Sequence, residues 1–152
     1  MRLCSPFPLK NKNCACKFTG LCIYTYALDE QNKPYALEFE EHDGYLHVIV
    51  GGLRVTSEIA LAYWQEVIDE CEKLGYSKIL LEHNFVEMIS KDEMLQVIGP
   101  VGHLLKGRMF AFYDHYEHYE IPEAGKAILR SLDIKMQIFH DLQAAQRWLT
   151  AN

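Results

Sequence analysis

KILLEHNFVEMISKDEMLQVIGPVGHLLKG, residues 78–107, holds a short apolar run, a polar break and then a helical pattern. Ile79, Leu80 and Leu81 are unbroken by polar residues, as in a strand buried on both faces of a parallel sheet. Glu82, His83 and Asn84 read as the carboxyl end of that strand. Ser90-Lys91-Asp92-Glu93 is a capping box: the serine oxygen can accept from the Glu93 amide while Glu93 reaches back to the Ser90 amide. Met94, Leu95, Val97 and Ile98 supply an apolar helical face, and Gly99-Pro100 predicts a kink or break. The segment is thus a buried strand feeding a helix, the unit of an α/β fold.

The flanking sequence extends this unit. Residues 36–41 alternate Leu37 and Phe39 with Glu38 and Glu40, the pattern of a strand with one wet face. Asp43-Gly44 is a hairpin signal. Leu46, Val48 and Val50 mark the returning strand, which Gly51-Gly52 should end. Thr56-Ser57 opens a helix to about residue 74, with Ala60, Tyr63, Trp64, Val67, Ile68, Cys71 and Leu74 on one apolar stripe and Gly75 as its stop. That stripe is core packing. After the helix that closes at Lys106-Gly107, residues 109–113 (MFAFY) form a second central strand, and residues 114–120 a polar, aromatic loop. Pro122 suits the first position of a helix carrying Ala124, Ala127, Ile128 and Leu132. Residues 135–139 alternate as an outer strand, and Asp141 can cap a last helix with Leu142, Ala145, Trp148 and Leu149 inward. The predicted order is β-β-α-β-α-β-α-β-α. It gives a mixed, mostly parallel sheet of four to five strands that opens with a hairpin and is covered by about four helices.

Composition limits the function classes. The 152 residues suffice for one domain with a sound core, here residues 35–152. A net charge of −6 argues against a nucleic-acid or anionic-membrane surface, which needs a basic stripe. No apolar run approaches the roughly 20 residues of a membrane span, and no apolar h-region follows Arg2, so a cytoplasmic location is expected. Residues 1–34 read as an arm with little periodicity, apart from the β-prone residues 21–28 (LCIYTYAL). The arm carries Cys4, Cys14, Cys16 and Cys22. Only Cys14 and Cys16 are close, which is not the two-knuckle spacing of structural zinc, so reduced thiols are expected.

Four stretches, LEFEEHDGYLHVIVGG (37–52), KLGYSKILLE (73–82), RMFAFYD (108–114) and IFHDLQAAQRWL (138–149), together resemble the STAS domain, the sulphate-transporter and anti-sigma-factor-antagonist module. The SpoIIAA-like branch, similar in fold to CRAL-TRIO lipid-binding domains, is the nearer likeness. It covers residues 36–150 and leaves the arm outside. The resemblance implies a regulatory domain acting on a partner. In anti-sigma-antagonist members an Asp-Ser-x-Gly segment at a helix start carries a phosphorylated serine. Ser90 falls at that place, but Ile89 stands where the aspartate would be and Asp92 where the glycine would be.

Ser90 has a local argument too, since a phosphate there would meet helix N-terminal amides. Glu87, Asp92 and Glu93 oppose it with like charge, and a plain N-cap is the preferred reading. The second candidate is the carboxyl edge of the sheet, where open α/β sheets bind ligands. Asp114, His115 and His118 could hold a divalent metal there, with a third imidazole from His83 or His140, although the spacing is that of a loop. The third candidate is an apolar loop. Phe85, Val86, Met88 and Ile89, with Glu82 and His83 beside them, would be a partner or ligand surface if exposed and a core seal if buried. No nucleophile elbow, glycine-rich phosphate loop or paired-carboxylate motif accompanies them. The sequence therefore favours a non-enzymatic binding or regulatory domain, without a cofactor, acting on a protein partner or a small apolar molecule. A metal-dependent, hydrolase-like enzyme using the sheet-edge His and Asp residues is the rival reading. Whether the chain forms a homodimer stays open.

Overall fold

The structure, a computed structural model, describes residues 33–116 and 120–152. The cysteines of the arm, residues 21–28 and His118 lie outside the described residues. The elements run β1 (Ala36–His42), β2 (Tyr45–Arg54), α1 (Ser57–Leu74), β3 (Lys78–Glu87), α2 (Lys91–Leu105), β4 (Met109–Asp114), α3 (Glu123–Ser131), β5 (Lys135–Phe139) and α4 (Leu142–Ala151). This is the predicted order. One five-stranded sheet holds the strands in the order β1-β2-β3-β4-β5. β1 pairs antiparallel with β2 through a turn in which Gly44 takes φ +87°, and every later pair is parallel.

The helices divide unequally between the two faces. Leu46, Val48, Ile79, Leu81, Phe110 and Phe112 pack with α1, α2 and α3 in the larger core. Tyr45, Leu80, Met109 and Ala111 pack on the other face with Ala145 and Leu149 of α4, which lies over β3, β4 and β5. On the β1–β2 half of that second face α4 meets Tyr45, and the exposed large apolar residues are Leu53 of β2 and Val86 of the neighbouring β3.

Local chemistry explains the boundaries. Thr56 caps α1 by accepting from the Ile59 amide at 3.2 Å, and Gly75 ends it at φ +81°. Asp141 caps α4 through the Gln143 and Ala144 amides. Trp64 is buried and meets Phe110 edge-on at 5.5 Å.

Several expectations need correction. β2 does not stop at Gly51-Gly52 but continues to Arg54. The glycines are there because β3 comes close: a Cβ on Gly51 would lie 2.8 Å from the Asn84 carbonyl oxygen. β3 does not end at Asn84 but runs to Glu87, so Glu82, His83, Phe85 and Val86 belong to a strand and not a loop. α2 passes unbroken through Pro100. Its stripe of Val97, Ile98, Val101 and Leu105 is buried, while Pro100 and Gln96, whose carbonyl loses its partner, are exposed to water. Pro122 is the N-cap of α3 rather than its first residue, and Gly125 and Leu129, not Ala124 and Ala127, face inward. Asp114 closes β4 instead of opening a loop. Trp148 is half-buried, with its ring 5.7 Å from that of Phe139, rather than largely buried.

Candidate functional site

Strand alternation sends consecutive residues to opposite faces. In β3 this sends His83 and Phe85 toward α1 and α2, and Glu82 and Asn84 to the other face. The segment that looked like one polar strand end therefore feeds two separate environments.

On the α1–α2 side His83 is 1% exposed, with its ring 4.9 Å from Phe85 and 5.1 Å from Phe112. Burial pulls its imidazole down to about 4, against an opposing pull from Asp114. His83 thus stays neutral at neutral pH. It lines a cavity of about 40 Å³ together with Trp64, Met88, Ile89, Met94 and Phe112. Phe85 is fully buried, and Met88 and Ile89 pack half-buried against the core. Val86, on the opposite face, is exposed.

On the other face Glu82 is the centre of a polar cluster. It is only 7% exposed, and both of its oxygens are engaged. Oε2 lies 2.9 Å from Nε2 of His47 on β2, and Oε1 lies 2.5 Å from Nε2 of His115 just beyond β4. Burial pushes the carboxyl up, but the hydrogen bonds and charges of His115 and His47 outweigh it and hold Glu82 at about 2. His47 turns its other nitrogen, Nδ1, toward Oε2 of Glu40 on β1 at 3.5 Å. His42, at the end of β1, places Nε2 3.7 Å from the same oxygen and stacks on Tyr45 at 4.8 Å. Leu53 and Val86 lie at the carboxyl ends of β2 and β3 on this face, both exposed.

Asp114 and His115 do not converge. Asp114 is buried beside its register partner His83, whereas His115 reaches Glu82 on the opposite face. His140 is exposed beyond β5. Ser90 is exposed at the head of α2 and forms the full capping box: its Oγ accepts from the Glu93 amide at 3.2 Å, and its own amide donates to Glu93 at 3.2 Å. The Ser90 hydroxyl and amide hydrogen bonds lower the Glu93 carboxyl below its ordinary value.

Glu40, His42 and His47 were not singled out from the sequence. The signal was present in the hairpin itself. Pairing across Asp43-Gly44 puts Glu40 opposite His47, and alternation puts His42 on the same face.

No protein-family model matches the chain, and no curated protein sequence matches it. Among solved structures it is similar to an uncharacterized protein of the DUF3478 family from Shewanella loihica PV-4, described as having a SpoIIAA-like fold. The TM-score is 0.46 at 16% identity, over 76% of this chain and 93% of that one.

Proposed function

We propose that this domain acts by binding a protein partner rather than by turnover, through the end of the Glu82 face of the sheet where Leu53 and Val86 are exposed. The observation that carries the reading is the engagement of both Glu82 oxygens by imidazoles from two different strands. A general base needs a lone pair aimed at the substrate proton, and each Glu82 oxygen is already committed to an imidazole. The strand positions on that face, from Glu38 and Glu40 of β1 to Leu53 of β2 and Val86 of β3, include no serine, threonine or cysteine to serve as nucleophile. The described free cysteine, Cys71, is buried in α1, where burial pushes its thiol up to about 11.

The cavity beside His83 weighs against a small apolar ligand. At about 40 Å³ it is well below the roughly 300–1,000 Å³ of pockets that hold drug-sized molecules. The Glu82 face instead carries exposed Leu53 and Val86 at the carboxyl ends of β2 and β3 and the acidic Glu38 and Glu40 on β1. Apolar anchors and carboxylates on one face suit a protein partner that presents apolar and basic residues.

Native mass spectrometry of untagged protein from its own host tests this. A stoichiometric protein complex, lost in Leu53→Asp and Val86→Asp variants that melt like wild type, supports the reading. A second copy of the chain in that complex would make the partner a homodimer. A chain that flies alone, or a hydrolytic activity abolished by Glu82→Gln, overturns it.

A further inference from the structure

Glu40, His42 and His47 bring one carboxylate and two imidazoles to the same place on the β1–β2 hairpin. Their candidate ligand atoms all lie within 4.8 Å of one another. Two of the separations, 3.5 and 3.7 Å from the Glu40 oxygen to the two imidazole nitrogens, are near the roughly 3.3–3.4 Å between ligands about 2.0–2.1 Å from a tetrahedral zinc ion.

The hydrogen bonding sets the roles. A carboxylate at neutral pH only accepts, so His47 donates to Glu82 through Nε2. In the neutral imidazole Nδ1 is then a lone pair, and it faces another acceptor, the Glu40 carboxylate. Two electron-pair donors facing each other repel unless a cation or a proton lies between them. The third atom points the same way: Nε2 of His42 is buried and has no hydrogen-bond partner among the described residues. Stacking on Tyr45, nearly parallel at 3°, holds the His42 ring in this orientation. Glu82 completes a carboxylate–histidine pair behind His47, the arrangement that fixes the tautomer of metal-ligating histidines.

We infer that Glu40 (carboxylate), His42 (Nε2) and His47 (Nδ1) form a binding site for a divalent first-row transition metal ion, with Glu82 as the positioning residue behind His47. Imidazole nitrogens select this class over calcium and magnesium, which take oxygen ligands. Three protein ligands leave at least one position on the ion for water or an outside ligand. The site goes beyond the binding function proposed above and does not require it.

Untagged full-length protein, treated with a chelator and then titrated with Zn²⁺ by calorimetry and with Co²⁺ by absorption spectroscopy, tests the site. One ion per chain is expected, with cobalt d–d bands and no thiolate charge-transfer absorption. His42→Ala and Glu40→Gln should each weaken binding at least tenfold, and Glu82→Gln should weaken it about 10–100-fold. Glu40 is exposed on an edge strand, so Glu40→Gln carries the test should His42→Ala melt abnormally. Absence of stoichiometric binding overturns the inference. So does binding that shows thiolate absorption alone, which would place the ion on the cysteines of residues 1–34, or affinity unchanged in Glu40→Gln.

Discussion

His47 reaches Glu82 along the diagonal of the β2–β3 ladder: its Nε2 lies 2.9 Å from Oε2, although the register partner of His47 is Leu80 and that of Glu82 is Ile49. Diagonal neighbours on one sheet face are within reach of long side chains. The contact therefore depends on parallel pairing in this one register, and it ties the hairpin strand to the centre of the sheet.

Removing that tie should cost stability. Glu82→Gln keeps the shape but takes the ionised acceptor from both imidazoles and turns an amide N–H toward one of them, and about 1–3 kcal/mol should be lost in urea melts. A double-mutant cycle with His47→Ala should give a coupling energy of the same order. A coupling near zero would mean that the two side chains merely sit side by side.

The buried imidazole of His83 predicts a pH dependence of known sign. Its folded value, about 4, lies below its ordinary 6.5, so the unfolded chain binds a proton that the folded chain refuses. Stability is unaffected above about 6.5 and falls as pH drops from there to about 4, by on the order of 3 kcal/mol in total. His83→Leu should flatten urea midpoints across that window relative to wild type. An equal slope in both proteins would assign the acid sensitivity to other groups.

The element order was legible because periodicity reports burial, and burial is what helices and strands share with the sequence. The strand ends were less so. Glu82-His83-Asn84 looks like a terminus when each residue is scored alone. Its strand character depends on His47 and His115, which lie 35 and 33 residues away. Pro100 reads as a break because propensity is local, whereas the buried stripe on either side of it is a tertiary effect. The candidate site was hidden for a different reason. The carboxyl edge and the His115/His118 spacing stand out in the linear sequence, while Glu40, His42 and His47 become neighbours only once the hairpin is folded in register. Asp114 and His115 adjoin in sequence and part company in space because Asp114 closes β4 beside His83 while His115, past the strand end, reaches Glu82.

Gly51 should tolerate no side chain. A Cβ there would lie 2.8 Å from the Asn84 carbonyl oxygen, a backbone atom that cannot turn aside. Gly51→Ala is expected to cost about 1–3 kcal/mol through overpacking, measured as a shift in denaturant midpoint. A neutral substitution would show that β2 and β3 can separate locally without loss.

At Ser90 the capping box and the phosphorylation reading predict different results. As a cap, Ser90→Ala should lose about 0.5–2 kcal/mol and Ser90→Asp should be nearly neutral, with binding unchanged in both. Intact-mass analysis of protein from its native host, beside a phosphatase-treated control, decides the matter. Phosphate localised to Ser90 would make the serine a switch.

Truncation addresses the arm. All five described strands begin after Lys33, and the anchors nearest the arm are the Lys33–Glu66 ion pair and the buried Tyr35 ring. Deleting residues 1–32 should therefore leave a cooperative unfolding transition with a midpoint close to that of the full chain. A large drop would show that the fold depends on the deleted segment.

The unequal cover of the sheet also acts as a lock on strand alignment. Glu82 and His83 are adjacent, yet one needs imidazole donors on the face that carries α4 and the other needs an apolar chamber among aromatic rings. A slip of β3 by a single residue would exchange them, burying an ionised carboxylate beside Phe112 and Trp64 and leaving His47 and His115 facing an imidazole. Hydrophobic alternation alone would penalise such a slip weakly here, because Leu80 and Leu81 are apolar on both sides. The polar residues near the middle of β3 thus proofread its alignment, and a sequence with leucine at both positions would be free to misalign.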